Sequence, residues 1–174
     1  MPLSENEILH PFKIFISSSQ NEFDRLRDAL KERINSERFV DQRIMRGVLI
    51  EDESGPVIAE DIAREIHDCS IYVGIFGRRK SDWTFREYRE ARARDLPLLV
   101  YQLKRRGHGI PRGRRSDVQL FLDKEVKERG IRIRQYGSED RLEQAVLNDL
   151  ALETTSLVNE AARVRKAIHE GIAP

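Results

Sequence analysis

The chain has a single cysteine, Cys69, so no internal disulfide can staple it and its fold must come from a hydrophobic core. A length of 174 residues is enough for one such core and gives no pressing reason for two. The lone thiol lies in "HDCSIYVG" and reads as buried packing rather than as a nucleophile. Long hydrophobic runs are also missing. The longest apolar stretch is about seven residues, well short of the roughly 20 that cross a bilayer, and no charged leader precedes it. Neither a membrane helix nor a signal peptide is expected, and the predicted location is cytoplasmic. Charge of one sign is not in excess, since 31 basic residues face 30 acidic ones. No global field therefore recommends nucleic acid or an anionic membrane as a partner. His10, His67, His108 and His169 are scattered without the spacings that zinc or a catalytic dyad needs, so no metal site and no resident cofactor are expected.

Two phosphate-binding signatures are absent as well. "GIFGRRKS" approaches a phosphate loop, but that register needs glycine at position 79, where the chain has Arg79. No G-x-G-x-x-G opens the first helix, which argues against a dinucleotide-binding Rossmann unit.

What is present alternates. "FKIFISSS" (12–19) is an apolar strand ending in hydroxyls, and "NEFDRLRDALKERI" follows with Phe23, Leu26, Leu30 and Ile34 at helical spacing. "RIMRGVLIED" is a second strand-like run ending in acids. "PVIAEDIAREIHDC", opened by Pro56, sets Val57 or Ile58, Ile62 and Ile66 on one helical face. "SIYVGIFG" (70–77) is almost wholly apolar, as a strand covered on both sides would be. A helix from about Trp83 to Asp95, a strand "PLLVYQL", a Gly- and Arg-rich loop, a helix near 116–128, a strand "IRIRQY" and a long final helix complete the chain. Parallel strands need helical crossovers, so the pattern predicts an α/β fold, a three-layer sandwich about a five-stranded parallel sheet of order 2-1-3-4-5. Ligands of such sheets bind beyond the carboxyl ends of the strands where the winding reverses, here between the first and third.

Those ends carry "SSSQ" and "GRRKSDW", and the helix that follows the second carries "SDWTFREY" (81–88). Projection at about 100° per residue sets Glu87, Tyr88 and Ala91 on an inward stripe and Arg86, Arg89, Glu90 and Arg94 on the other faces. A carboxylate brought under the lip of a sheet loses hydration and is a candidate acid, base or cation stabiliser. The competing reading is local: Thr84-x-x-Glu87 has capping-box form, and spacing alone favours the cap. Trp83 can stack on a base or nicotinamide ring or serve as a packing anchor. Ser17, Ser18 and Ser19 can bond ribose or phosphate; they can equally end a strand, with Ser19 or Asn21 capping the next helix. Gly77, Arg78, Arg79, Lys80 and Ser81 lie at the mouth of the sheet, where the basic side chains can hold a pyrophosphate.

The hydroxyl-ended strand "KIFISSSQNEF", the acid-ended second strand, "CSIYVGIFGRR" and "SDWTFREYREA" together resemble the TIR-like superfamily, and most closely its DUF4062-type branch, over roughly residues 12–104. The resemblance implies a flavodoxin-like, TIR-like fold. It also implies that Glu87 occupies the position of the glutamate with which catalytic TIR domains cleave the nicotinamide bond of NAD, and which nucleoside deoxyribosyltransferases use as nucleophile. NAD or another small nucleotide would then be a substrate rather than a cofactor. The chain departs from the TIR pattern at Thr84, where a cysteine often follows the tryptophan. A non-catalytic TIR-like module for signalling and assembly is the alternative, and nucleoside deoxyribosyl transfer a lesser one.

Two further regions are distinctive. "KRRGHGIPRGRR" (104–115) has six basic residues and no acid; it can be an anion-binding lid, a nucleic-acid contact or a solvated loop, and the lack of interleaved aromatics favours the loop. Leu147, Leu150, Thr154, Leu157, Ala161, Val164 and Ile168 alternate three and four apart, a heptad-like stripe reaching about residue 169 that Thr154, Thr155 and Ser156 can interrupt. The first half of this helix is expected to pack on the sheet. The second, about 156–169, is a candidate contact between copies in a homo-oligomer, which divides the chain into an α/β domain (11–152) and a helical extension (153–174).

Overall fold

The computed structural model describes residues 12–37, 45–49, 59–104 and 116–171. Five strands, β1 (Phe12–Ser18), β2 (Met45–Val48), β3 (Ile71–Phe76), β4 (Leu98–Leu103) and β5 (Ile133–Tyr136), form one sheet of order β2-β1-β3-β4-β5. Every neighbouring pair is parallel. This is the expected α/β topology, and it places the reversal of winding between β1 and β3.

Side-chain alternation divides the helices between the two faces. Ile14 and Ile16 of β1, with Ile71, Val73 and Ile75 of β3, meet Leu26, Leu30 and Ile34 of α1 (Gln20–Ser36) and Leu142, Val146 and Leu150 of α5 (Glu139–His169). The intervening Phe15, Tyr72 and Phe76 point the other way, onto α2 (Ala59–His67), α3 (Asp82–Ala93) and α4 (Asp117–Phe121). All six residues of β3 are buried, because the strand is central and covered on both sides. The edge strand β2 is protected differently: the Gly47 N–H donates to Asn35 Oδ1 of α1 at 2.9 Å, which occupies a group that an unpaired strand could otherwise recruit.

The predicted helix near 116–128 is not uniform. After α4 the chain passes through a widened π-type turn at Leu122–Val126 and a tight turn at Lys127–Arg129, ended by Gly130 in the left-handed region at φ 78°. The wide turn presents the Glu125 carbonyl to the Tyr88 hydroxyl, which donates to it at 2.9 Å. α5 is one unbroken helix across residue 152. Thr154–Ser156 do not interrupt it; the Thr155 hydroxyl folds back to the Ala151 carbonyl at 2.7 Å, a bond that helical geometry accommodates. Its first half is held on the sheet by the apolar stripe, by Tyr101 donating to Asp149 Oδ2 at 2.6 Å, and by an Arg134–Asp149 ion pair. Buried positions on the helix end at Thr154. No described helix is long and apolar enough to cross a membrane.

The acid-ended tail of the second strand, Pro56, Val57 and Ile58, His10 and His108, and the basic loop from residue 105 to 115 lie outside the described residues.

Candidate active site

The helix after β3 starts one turn earlier than the capping-box reading requires. Ser81, in extended conformation, caps α3: its Oγ accepts from the Thr84 N–H at 3.2 Å and from the Thr84 hydroxyl at 3.0 Å. Thr84 is therefore the third helical residue, and Glu87 is too far along the helix to reach back to the cap. The capping-box reading of Glu87 is corrected on that ground. Asp82 in the first turn adds the charge that the helix dipole favours.

Released from capping, Glu87 points inward with Thr84, Phe85, Tyr88 and Ala91 and is 8% exposed. Ser17 Oγ, near the end of β1, donates to Glu87 Oε2 at 2.5 Å in a buried hydrogen bond. Strand alternation explains the meeting: Ser17 follows Phe15 on the face that α3 covers, two residues nearer the carboxyl edge. Ser17, expected to bond ribose or phosphate, thus has a protein partner, and that partner is the candidate catalytic group.

Tyr72 completes this side. Ser17 sits directly opposite Gly74 in the β1–β3 register, and a Cβ on Gly74 would lie 2.7 Å from the Tyr72 ring and 3.0 Å from its hydroxyl. The absent side chain lets Tyr72 lean over Gly74 toward the carboxyl edge, between Phe15 (6.1 Å, stacked) and Tyr88 (6.1 Å, edge-on). Its hydroxyl lies beside Ser17 but makes no hydrogen bond of ordinary geometry among the described residues. Burial first, and then the charge of Glu87, hold the Tyr72 phenol well above its ordinary range, so it stays protonated as a donor. Phe85 stacks on Phe121 at 3.9 Å and closes the apolar wall behind α3.

The opposite face of the same edge is different. Ser18 follows Ile14 and Ile16 toward α1; its buried Oγ has no hydrogen-bond partner among the described residues. Ser19 sits at the N-cap of α1 but makes no side-chain cap bond; its carbonyl accepts from Glu22 and Phe23 instead. Just past β3, the amides of Arg78 and Arg79 donate to the carboxylate of Glu22, Arg78 at 2.9 and 3.1 Å and Arg79 at 3.0 Å. Gly77 leaves room for this approach, since a Cβ there would lie 2.3 Å from that carboxylate and push it aside. The side chains of Arg78, Arg79 and Lys80 are exposed, and Lys80 pairs with Asp82 at 3.1 Å. Trp83 is 41% exposed, so it is not a packing anchor.

The structure therefore gathers Ser17, Tyr72 and Glu87 on one side of the β1–β3 edge and Ser18, Gly77 and Glu22 on the other. Tyr72 and Glu22 were not singled out from the sequence. Cys69 stays apart, buried, with Sγ donating to the Glu65 carbonyl at 3.1 Å and burial pushing its thiol up to about 12, which suits packing rather than nucleophilic chemistry. Among the described residues no cluster of His, Cys, Asp and Glu could hold a metal ion.

A doubly wound parallel sheet with its polar groups collected where the winding reverses defines the class of protein. Within it, residues 13–151 match the model of the domain of unknown function DUF4062, and the chain belongs to that family. The match extends past β4 through the first half of α5, so the family unit is the whole sandwich. No curated protein matches the chain.

Proposed function

We propose that the chain is an N-glycosidase acting on NAD or a related nucleotide, with the Glu87 carboxylate as the acting group. The observation that carries the reading is the buried 2.5 Å bond from Ser17 to Glu87 at the edge where such sheets take ligands. A hydroxyl donor favours the ionised carboxylate and fixes its orientation. Cleavage of a nicotinamide glycosidic bond develops positive charge on the ribose, and the C–N electron pair leaves with nicotinamide, which was cationic and departs neutral. No acid is needed for that departure. One oriented carboxylate then suffices, either by stabilising the charge or by bonding to the anomeric carbon until water displaces it. Trp83, exposed on the first turn of the same helix, offers a ring for stacking. The resemblance of these segments to TIR-like enzymes supports the same assignment.

The second reading is a non-catalytic assembly module. It is favoured by the apolar stripe that the far half of α5 leaves exposed, with Val164 and Ile168 at 48% and 65%. Nicotinamide release from NAD at high protein concentration separates the two. Glu87→Gln keeps volume and an acceptor for Ser17 while removing charge, so release should fall by roughly two orders of magnitude or more, with stability changed by less than about 1 kcal/mol. Assembled protein that releases nothing from NAD or from nucleosides, or a Gln variant as active as the native chain, leaves the assembly module. Base release from deoxynucleosides but not from NAD selects deoxyribosyl transfer.

A further inference from the structure

The Glu22 contact is unusual in kind. Backbone amides that converge in the loop after a central strand, with a glycine clearing the approach, are what an anion-binding concavity is made of. Here an anion already fills it, and the anion belongs to the chain. Three hydrogen bonds from two amides hold the Glu22 carboxylate, in space that a Cβ on residue 77 would enter.

Three neighbouring features point to a second occupant. Ser18 Oγ lies on the adjoining strand, on the same face of the sheet, buried and without a hydrogen-bond partner among the described residues. Arg78 and Arg79 line the rim with exposed cationic side chains, and Lys80 beside them pairs with Asp82 at 3.1 Å. The backbone of α1 breaks at the residue after the plug: Phe23 has φ −132° and ψ 23°, outside the helical region. Phe23 is itself buried in the core with Leu26, Leu30 and Ile34, so displacing the plug needs only the Glu22 side chain to swing away, with the rest of α1 in place.

We propose that the amides of Arg78 and Arg79, with Gly77 and Ser18, form a phosphate subsite that Glu22 plugs from within, so that a phosphate or pyrophosphate group binds by displacing the Glu22 carboxylate. A phosphate carries more charge than a carboxylate and more acceptor oxygens, and it can engage Ser18 and the rim cations together with the amides. The plug keeps the amides satisfied when no ligand is present and sets a threshold that weak anions do not cross. This deepens the nucleotide reading and rests on it for the class of ligand. It is tested by binding with Glu87 intact, so either can fail alone.

The experiment is calorimetric titration of the full chain with inorganic pyrophosphate and with ADP at fixed ionic strength. Glu22→Gln should bind at least about tenfold more tightly than the native chain, because it removes the competing charge. Adding Gly77→Ala to Glu22→Gln should abolish that gain, because the new Cβ fills the cradle while every basic side chain remains. ADP binding tighter than pyrophosphate assigns the subsite to a nucleotide; equal binding assigns it to free phosphates. A Glu22→Gln variant that binds no tighter than native, or a gain that survives Gly77→Ala, overturns the proposal. If Glu22→Gln does not fold, the native chain is followed by amide NMR. Shifts of the Arg78 and Arg79 amides at pyrophosphate saturation support the plug, and amides that do not respond overturn it.

Discussion

The carboxyl edge of β1 and β3 buries polar groups, whereas the far half of α5 exposes apolar ones. Both run against the usual partition between core and surface, and in opposite directions. At the edge, Ser17, Ser18, Thr84 and Glu87 are all less than a tenth exposed. The cost of burial here is offset only in part among the described residues: Ser17 donates to Glu87, while the Ser18 and Tyr72 hydroxyls have no hydrogen bond there. On α5, Leu152, Val158, Val164 and Ile168 face outward at 48% or more. Buried polar atoms left unmatched lower stability and are retained at sites that do something with them. Exposed apolar atoms cost the folded domain little but invite a partner.

The edge should respond most strongly to change. Ser17→Ala removes a charge-assisted hydrogen bond from a buried carboxylate and should destabilise the domain by about 1.5–3 kcal/mol in urea unfolding. A loss under about 0.5 kcal/mol would mean that Glu87 does not depend on Ser17, and the contrast with Tyr72 would collapse.

Tyr72→Phe is the sharper control, because it deletes a buried hydroxyl that has no hydrogen bond among the described residues. Stability at neutral pH should be unchanged or higher by up to about 1 kcal/mol. Its signature lies at alkaline pH. The folded-state pKa of Tyr72 is raised above the ordinary 10.0, so the folded state holds a proton that the unfolded chain releases. The stabilisation is complete below pH 10 and declines as pH rises above it. Cys69 and Tyr101, also raised by burial, contribute to the same decline. Tyr72→Phe should therefore flatten that limb without abolishing it. An unchanged slope would show that Tyr72 ionises as readily folded as unfolded.

The strand order, and the face of α3 that carries Glu87, were legible because both follow from periodicity. Alternating strands and helices allow few topologies, and a 100° projection needs only that α3 be a helix. The cap was misread because Ser81 and Thr84 are both competent caps, and the choice turns on where the strand lets go of the chain. Tyr72 was hidden inside the apolar run "SIYVGIF", where every position reads as core. Gly74 was the only local signal that a large ring leans there, and nothing in the sequence says which way. Glu22 had no signal of its own: its contact joins Gly77 and the amides after β3, more than fifty residues away, and depends on the first turn of α1 meeting the loop after β3 at one edge. Short-range patterns reveal faces; they do not reveal which polar groups meet across a sheet.

The smallest effect on stability should come from the far end of α5, where the comparison is most easily broken. Leu157 still packs against the core, partly buried, and beyond it the helix is almost wholly exposed. Ending the chain at Val158 removes a helical segment whose residues are nearly all exposed, and unfolding free energy of the dilute domain should change by less than about 0.5 kcal/mol. The apolar stripe of Ala161, Val164 and Ile168, flanked by Glu160 and Arg165, is the surface lost. If copies of the chain meet there, as the three-four spacing leads one to expect, light scattering should show the full chain heavier than a monomer and the shortened chain monomeric. Equal masses for the two would remove the dimer contact. A loss of stability well above 0.5 kcal/mol in the monomer would show that the stripe is covered by the chain itself, and the exposed apolar face would cease to be the counterpart of the buried polar edge.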